Sequence, residues 1–384
     1  MKSMEQVHVL VLDTVMDRGG AEAMIMNYMR NINRDIIKFD FLTNRDYRAA
    51  YEDEIESLGG KVYHMCPMYP GKFHRYKKEV REFLKEHPEY KIIHSNLEER
   101  SYLPLKVAKK MGVPVRISHS HNRPLGINPK LIVRYYFRFM LKFYNTHMFA
   151  CGEEAGDWLY GKKNRDNVTI MNNAVDANQY RYNPEVSKEM KKQLGIEGKK
   201  VIGHVGRFFP QKNHDFLIDI FNEIYKKDKD TVLLLVGGGE LDDALKNQIK
   251  EKVRNLGLED AVEFLGVRED VDRIVQTFDV FLLPSLFEGL PVTMVEAQAA
   301  GLPCVISDKV PIQCDLTGNV WVVPLEESPK KWADVVLDKA NNFEKRDTCQ
   351  QIADAGFDIK SQAKWLEEFY VKVLEESNRE NISK

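Results

Sequence analysis

Apolar residues along the chain fall into two alternating patterns. The first is a short, uniformly apolar run, as in "VHVLVLD", "KFDFLT", "KVYHM", "KIIHSN", "VPVRISHSH" and "THMFAC". Such runs are too short for helices and predict strands buried on both faces. The second pattern repeats its apolar positions every three or four residues, as in "AEAMIMNYMRNI", "FHRYKKEVREFLKEH" and "PLKVAKKMG". It predicts helices that lay one stripe on a sheet. The alternation restarts in "KKVIGHVGRF", "NHDFLIDIFNEIYKK", "TVLLLVGGG", "ELDDALKNQIKEKVRNLG" and "AVEFLG", then runs on through "VDRIVQTF", "VFLLPS", "TMVEAQAAG" and "LPCVISD". This is the α/β class, with mainly parallel sheets carrying helices on both faces.

The pattern lapses once, in the Asn-rich, Pro-terminated stretch "MNNAVDANQYRYNP" (171–184). With 384 residues, too many for one small core, the lapse predicts two doubly wound domains, 1–175 and 176–362. Two open sheets joined this way are expected to set their carboxyl edges opposite one another, with ligands in the cleft between. The last helix, "IKSQAKWLEEFYVKVLEES", is amphipathic and needs a surface to cover.

Charge changes this picture in one respect. The net charge is −2, yet residues 1–175 carry +7 and 176–384 carry −9. Between Arg100 and Gly152 there is no acid, and ten Lys or Arg residues occur. That predicts an anionic partner. In "NPKLIVRYYFRFMLKFY", Lys130, Arg134, Arg138 and Lys142 recur every four residues, a basic stripe on an aromatic helix that suits a membrane interface or a core helix with one polar face. Five scattered cysteines without a CxxC pair argue against a disulfide framework or a zinc site. The start lacks a signal-peptide core and no run is long enough to span a bilayer, so a cytoplasmic protein is expected, with peripheral contact at the inner face of the plasma membrane.

Candidate chemistry concentrates at strand-to-helix junctions. In "SLFEGLPVTMVEAQAAGLP", Glu288 stands on a loop and Glu296 in the following helix, with Pro291 expected near its first position. Gly289 and the free amides of the helix start suit a phosphate. Glu296 is placed to accept from a ribose-like diol and Glu288 to meet a hydroxylated group beyond the phosphates; otherwise both are solvated acids. In "HVGRFFPQKNHDF", Arg207 and Lys212 can neutralise a diphosphate and stabilise it as it leaves. Gly19 and Gly20, ahead of a helix with Glu22 in its first turn, make an anion-tolerant bend. Gly238, in "VGGGE", is expected to line the cleft, and Val267 with Arg268 lies where backbone amides could read a base. In "RISHSHNRP", His119 and His121 are expected on opposite faces of a strand, one of them near the cleft as a hydrogen-bonding or acid-base group. No metal-holding carboxylate diad stands at a strand end.

These residues resemble a known family. "FEGLPVTMVEAQAAGLPCVISD" is similar to the signature of two glutamates with seven residues between them found in retaining family 4 glycosyltransferases of GT-B fold. "HVGRFFPQKNHDFLIDIF" resembles their second signature, "GGAE" (19–22) their N-terminal glycine loop, and His121–Asn122 their donor-touching histidine. Within that family the chain resembles the EpsF-like transferases of bacterial exopolysaccharide and capsule synthesis. The resemblance implies an acceptor-binding domain at 1–175, a donor-binding domain at 176–362, and residues 363–384 crossing back onto the first. It implies that Glu296 holds the ribose, that Glu288 with the amides of Gly289 and Leu290 faces the donor sugar and β-phosphate, and that Arg207 and Lys212 hold the diphosphate. The implied reaction is metal-independent, retaining transfer from a nucleotide sugar, by common choice a UDP-sugar, to a glycan or lipid-linked acceptor, with no cofactor. "NNAVD" (172–176) departs from the Asn-Gly turn of many members.

Three other classes compete. A GT-B nucleotide-sugar epimerase would share the fold but has no use for the basic aromatic helix. A nucleic-acid-binding protein would need groove-reading or base-stacking motifs, which are missing. A dehydrogenase would need GxGxxG with a downstream acid.

Overall fold

The computed structural model describes residues 6–121, 131–238 and 243–382. Asn122, Arg123, Lys130 and Glu240 lie outside the described residues. The chain divides into two units, residues 1–174 with 359–384, and residues 175–358.

The first unit holds seven parallel strands: β1 (Val7–Leu12), β2 (Ile37–Thr43), β3 (Val62–His64), β4 (Ile92–Ser95), β5 (Val115–Ser120), β6 (His147–Ala150) and β7 (Val168–Ile170). Their order is β3-β2-β1-β4-β5-β6-β7. The second holds six: β8 (Lys200–Val205), β9 (Thr231–Val236), β10 (Val262–Gly266), β11 (Val280–Leu283), β12 (Cys304–Ser307) and β13 (Val320–Val323), in the order β10-β9-β8-β11-β12-β13. In each sheet the chain winds outward one way, then returns beside its first strand and winds the other way. The reversal falls between β1 and β4 in one unit and between β8 and β11 in the other. In open sheets of this kind, ligands bind at such a reversal point, beyond the carboxyl ends of the strands.

Strands such as "TVLLLV" of β9 are buried along their whole length because helices cover both faces. The terminal helix Ile359–Ile382 belongs to the first unit, so the chain returns at Ile359, ahead of residue 363. It sets Ile359, Ala363, Leu366, Tyr370 and Val373 into a core shared with Val9, Phe39, Ile117 and Phe149.

Candidate functional site

In the second unit, the chain leaves β8 at Gly206, whose amide bonds the Val236 carbonyl at 2.8 Å, and the Gly237 amide bonds the Gly266 carbonyl at 2.8 Å. Gly237 has φ +126°, and a Cβ there would lie 2.2 Å from the Gly206 oxygen, so only glycine lets these backbones meet. The contacts draw Arg207, Gly238, Val267 and Arg268 to one sheet edge. Arg207 is exposed, its guanidinium 5.7 Å from the Phe209 ring. Arg268 is forked onto Asp270 at 2.8 and 2.7 Å, which commits its donors to a neighbour, and Val267 beside it is largely exposed.

Beyond Arg207 the chain makes one tight turn, Pro210–Lys212, then turns left-handed at Asn213 (φ 57°) to enter the helix His214–Lys227. Asn213 Nδ2 donates to the Pro284 carbonyl at 3.1 Å, and the Leu286 amide to the Gln211 carbonyl at 2.8 Å. The loops after β8 and β11 are thereby tied together across the topological reversal. Lys212 Nζ then lies 2.7 Å from Glu288 Oε1, with the two side chains only 15% and 6% exposed. Ser285 Oγ donates to the same oxygen at 2.7 Å, and Gln211 Nε2 to Oε2 at 2.9 Å. Sequence spacing gave Lys212 and Glu288 separate ligand groups; the fold makes them one buried ion pair with two supporting donors. Gln211, inside a quoted motif, has its partner 77 residues away on another loop, whereas Ser285 bonds Glu288 three residues on within its own loop, where a serine carries no signal by itself.

Pro291 stands at the N-cap of the helix Val292–Ala299, one position ahead of the expected first turn, because its extended ψ of 123° places it outside the helix. Nothing lies within 4 Å of a Cβ built on Gly289, so its Cα faces open space. Leu290 is half-buried. Glu296, from the middle of this helix, accepts from Tyr180 Oη at 2.9 Å. Burial pushes its carboxyl up to about 7, against the lowering effect of the Tyr180 hydrogen bond and with a further upward push from Asp272. Tyr180 is a third residue missed from the sequence, being 116 positions away.

Two buried imidazoles back the Lys212 loop. His204 Nδ1 meets the Leu282 carbonyl at 2.9 Å, and its ring lies 4.9 Å from His214. Burial, and then the charge of neighbouring groups, depresses both; His214 falls to about 4. They are neutral at pH 7.

In the first unit, Gly19 caps the helix Gly20–Asn31, and a Cβ on it would strike the Glu22 carboxylate at 2.2 Å. His121 follows β5. Its Nε2 lies 3.1 Å from Asn96 Oδ1, and Asn96 Nδ2 donates to Asp13 at 3.3 Å. Asp13, Asn96 and His121 thus line the carboxyl ends of β1, β4 and β5. Burial, with the charge of Glu22, holds Asp13 well above the usual carboxylate range; burial lowers His121 to about 4. The expectation that His119 and His121 face opposite ways is corrected. Their ring centroids are 4.1 Å apart, because residues two apart in an extended chain share a face. His119 also meets His94 at 3.0 Å, and His94 meets Tyr370 Oη at 2.7 Å. Among the described residues, no group of three or more His, Cys, Asp or Glu could hold a metal ion.

Two Rossmann-like units, the second carrying Arg207, Lys212, Glu288 and Glu296 on the segments that follow β8 and β11, define the chain as a glycosyltransferase of GT-B fold. Residues 186–354 match the model of the family described as glycosyl transferases group 1. The chain is 37% identical to glycosyltransferase EpsF of Bacillus subtilis over 341 residues, 86% of this chain and 87% of that protein. It is 28% identical over 229 residues to the Escherichia coli UDP-Gal:α-D-GlcNAc-diphosphoundecaprenol α-1,3-galactosyltransferase, covering 57% of this chain and 58% of that one. In fold it is similar to Anabaena HepE, solved in complex with UDP, with a TM-score of 0.72, 19% identity, and coverage of 98% and 100%. The chain belongs to the glycosyl transferases group 1 family.

Proposed function

We propose that the enzyme transfers a sugar from a UDP-sugar to a glycan or lipid-linked acceptor in bacterial polysaccharide synthesis, with retention at the anomeric carbon and without a metal, at the inner face of the plasma membrane. The observation that carries the donor assignment is the Lys212–Glu288 pair at the β8/β11 edge, with Glu296 on the helix that leaves the same loop. There, two cations, an open glycine and a helix start accompany a carboxylate suited to a diol. The likeness to EpsF over most of the chain supports the polysaccharide setting, the UDP bound to HepE supports the base, and the diphosphoundecaprenol acceptor of the Escherichia coli enzyme supports a lipid-linked acceptor.

In this reading Glu296 accepts from the ribose hydroxyls, while Arg207, Lys212 and the amides of Gly289 and Leu290 take the diphosphate. The bond from the anomeric carbon to the β-phosphate oxygen breaks as the acceptor oxygen bonds that carbon on the same face. The acceptor's proton passes to the departing phosphate, whose charge the two cations stabilise. Thermal-shift screening against UDP-sugars, followed by NMR of the product's anomeric configuration with and without chelator, tests each part. Lys212→Ala or Glu296→Ala should abolish transfer while circular dichroism stays unchanged; near-normal turnover in both sinks the assignment. Incubation with donor alone should leave its sugar configuration intact, whereas an epimerase would scramble it.

A further inference from the structure

The helix Leu131–Leu141 and the residues just after it present an exposed apolar face. Ile132 is 79% exposed, and Val133, Tyr135, Tyr136, Phe139 and Phe143 are each between 49% and 56% exposed. A contiguous face of this composition marks an interaction site. Of the basic stripe read from the sequence, Lys142 is exposed, whereas the two arginines turn inward. Arg134 turns onto buried Glu99 in a two-pronged ion pair at 2.7 and 3.1 Å. Arg138 turns onto the carbonyls of Leu159 and Asp157 at 3.1 and 3.3 Å, its guanidinium 5.1 Å from the Trp158 ring. The two arginines anchor the helix and expose its aromatic flank.

Three lysines border that flank. Lys142 Nζ lies 4.0 Å from the Phe139 ring and 5.0 Å from Phe143. Lys109 Nζ bonds the Phe143 carbonyl at 3.0 Å, and Lys106 lies 5.6 Å from the Tyr144 ring. Among the described residues none of the three is ion-paired, and no acid occurs from Arg100 to Gly152. At 11 residues the helix is about 16 Å long, too short to cross a bilayer and suited to lying in its surface. A second copy seated here would set these lysines against their own counterparts. A lipid surface answers both the rings and the cations, since tyrosine and lysine belong at the headgroup level and phenylalanine below it.

We infer that this face docks on an anionic phospholipid bilayer, with Ile132, Phe139 and Phe143 entering the interface and Lys106, Lys109 and Lys142 meeting the headgroups. The inference deepens the lipid-linked acceptor reading, on which it rests for its purpose, and is independent of the donor assignment.

The test is co-sedimentation of the full chain, without substrates, with vesicles of phosphatidylcholine and phosphatidylglycerol in equal parts. Wild type should sediment, and added salt should weaken its binding only partly because insertion is apolar. The double variant Phe139→Ser with Phe143→Ser should bind about a hundredfold more weakly, from two rings worth roughly tenfold each. Both positions are exposed, so its thermal melt and its stabilisation by UDP should match wild type. Lys142→Glu should weaken binding to these vesicles but not to phosphatidylcholine alone. The proposal is overturned if wild type stays in the supernatant, if the double variant sediments like wild type, or if wild type is a dimer that the double variant dissociates. Failure of UDP to stabilise either protein would strike the donor reading alone.

Discussion

Lys212, Ser285 and Gln211 all converge on the Glu288 carboxylate. Its oxygens are already well served, so Glu288 is suited to fixing the Lys212 ammonium where a diphosphate would need it. Gln211→Ala removes one neutral donor and leaves the ion pair. It should cost about 1 kcal/mol of stability and reduce kcat about tenfold with little change in donor KM; a reverse split, with KM alone affected, would show Gln211 to be a binding group. Glu296 allows a test by pH. Its folded value of about 7 exceeds the ordinary 4.5, so from pH 4.5 to 7 the folded chain holds a proton that the unfolded chain has lost. Its contribution to stability therefore declines as pH rises through that window, and the whole penalty stands above 7. Glu296→Gln keeps an acceptor for Tyr180 and should melt higher than wild type at pH 8, by up to about 3 kcal/mol. Near pH 4.5 the two should melt alike, and equal melts at both values would refute the raised carboxyl. Donor affinity should run the other way, rising in wild type as Glu296 ionises and remaining low in the variant.

At the scale of elements, the helix Val292–Ala299 is bracketed by two glycines with opposite requirements. Gly301 has φ +70°, and its Cβ would fall 2.1 Å from the Arg346 carbonyl oxygen. Gly289 has no positive φ and open space beside it. Gly301→Ala should therefore cost more than about 2 kcal/mol in urea unfolding, with little of the protein left folded for assay. Gly289→Ala should unfold like wild type and weaken UDP binding, because its methyl would occupy the approach to the backbone; unchanged UDP affinity would remove Gly289 from the donor site. These elements were legible in the sequence because β8, β9, β11 and β12 are short runs that are mostly apolar and mostly buried, and they end in loops with glycine or charge. By contrast, β7 has three residues, and β13, "VWVV", is an edge strand with Trp321 and Val322 partly outside the core, so neither carried a sufficient signal. The pairs Tyr180–Glu296 and Gln211–Glu288 span 116 and 77 residues and depend on tertiary placement, which no local pattern encodes. Motif spacing located the residues but not their mutual bonds.

For the whole molecule, the chain's route makes the first unit depend on its last residues. The helix Ile359–Ile382 returns after residue 358 and fills the core over β1, β2 and β5. Tyr370 is fully buried there, its ring 6.0 Å from Phe39 and its hydroxyl on His94, the first of three imidazoles that continue through His119 to His121. Phe369 packs 5.0 Å from Phe149. The second unit has its own hydrophobic cores, built from residues 175–358. Ending the chain at Asp358 should therefore unfold the first unit selectively. Calorimetry of the full chain and the truncated one should show loss of the transition belonging to residues 1–174, while the other keeps its temperature and its upward shift with UDP. Tyr370→Phe, which keeps the ring and leaves His94 Nδ1 without its partner, should lower only the first transition, by about 1–2 kcal/mol. Loss of both transitions together on truncation would mean that the two units fold as one cooperative body, and the division at residues 174 and 358 would then have no thermodynamic counterpart.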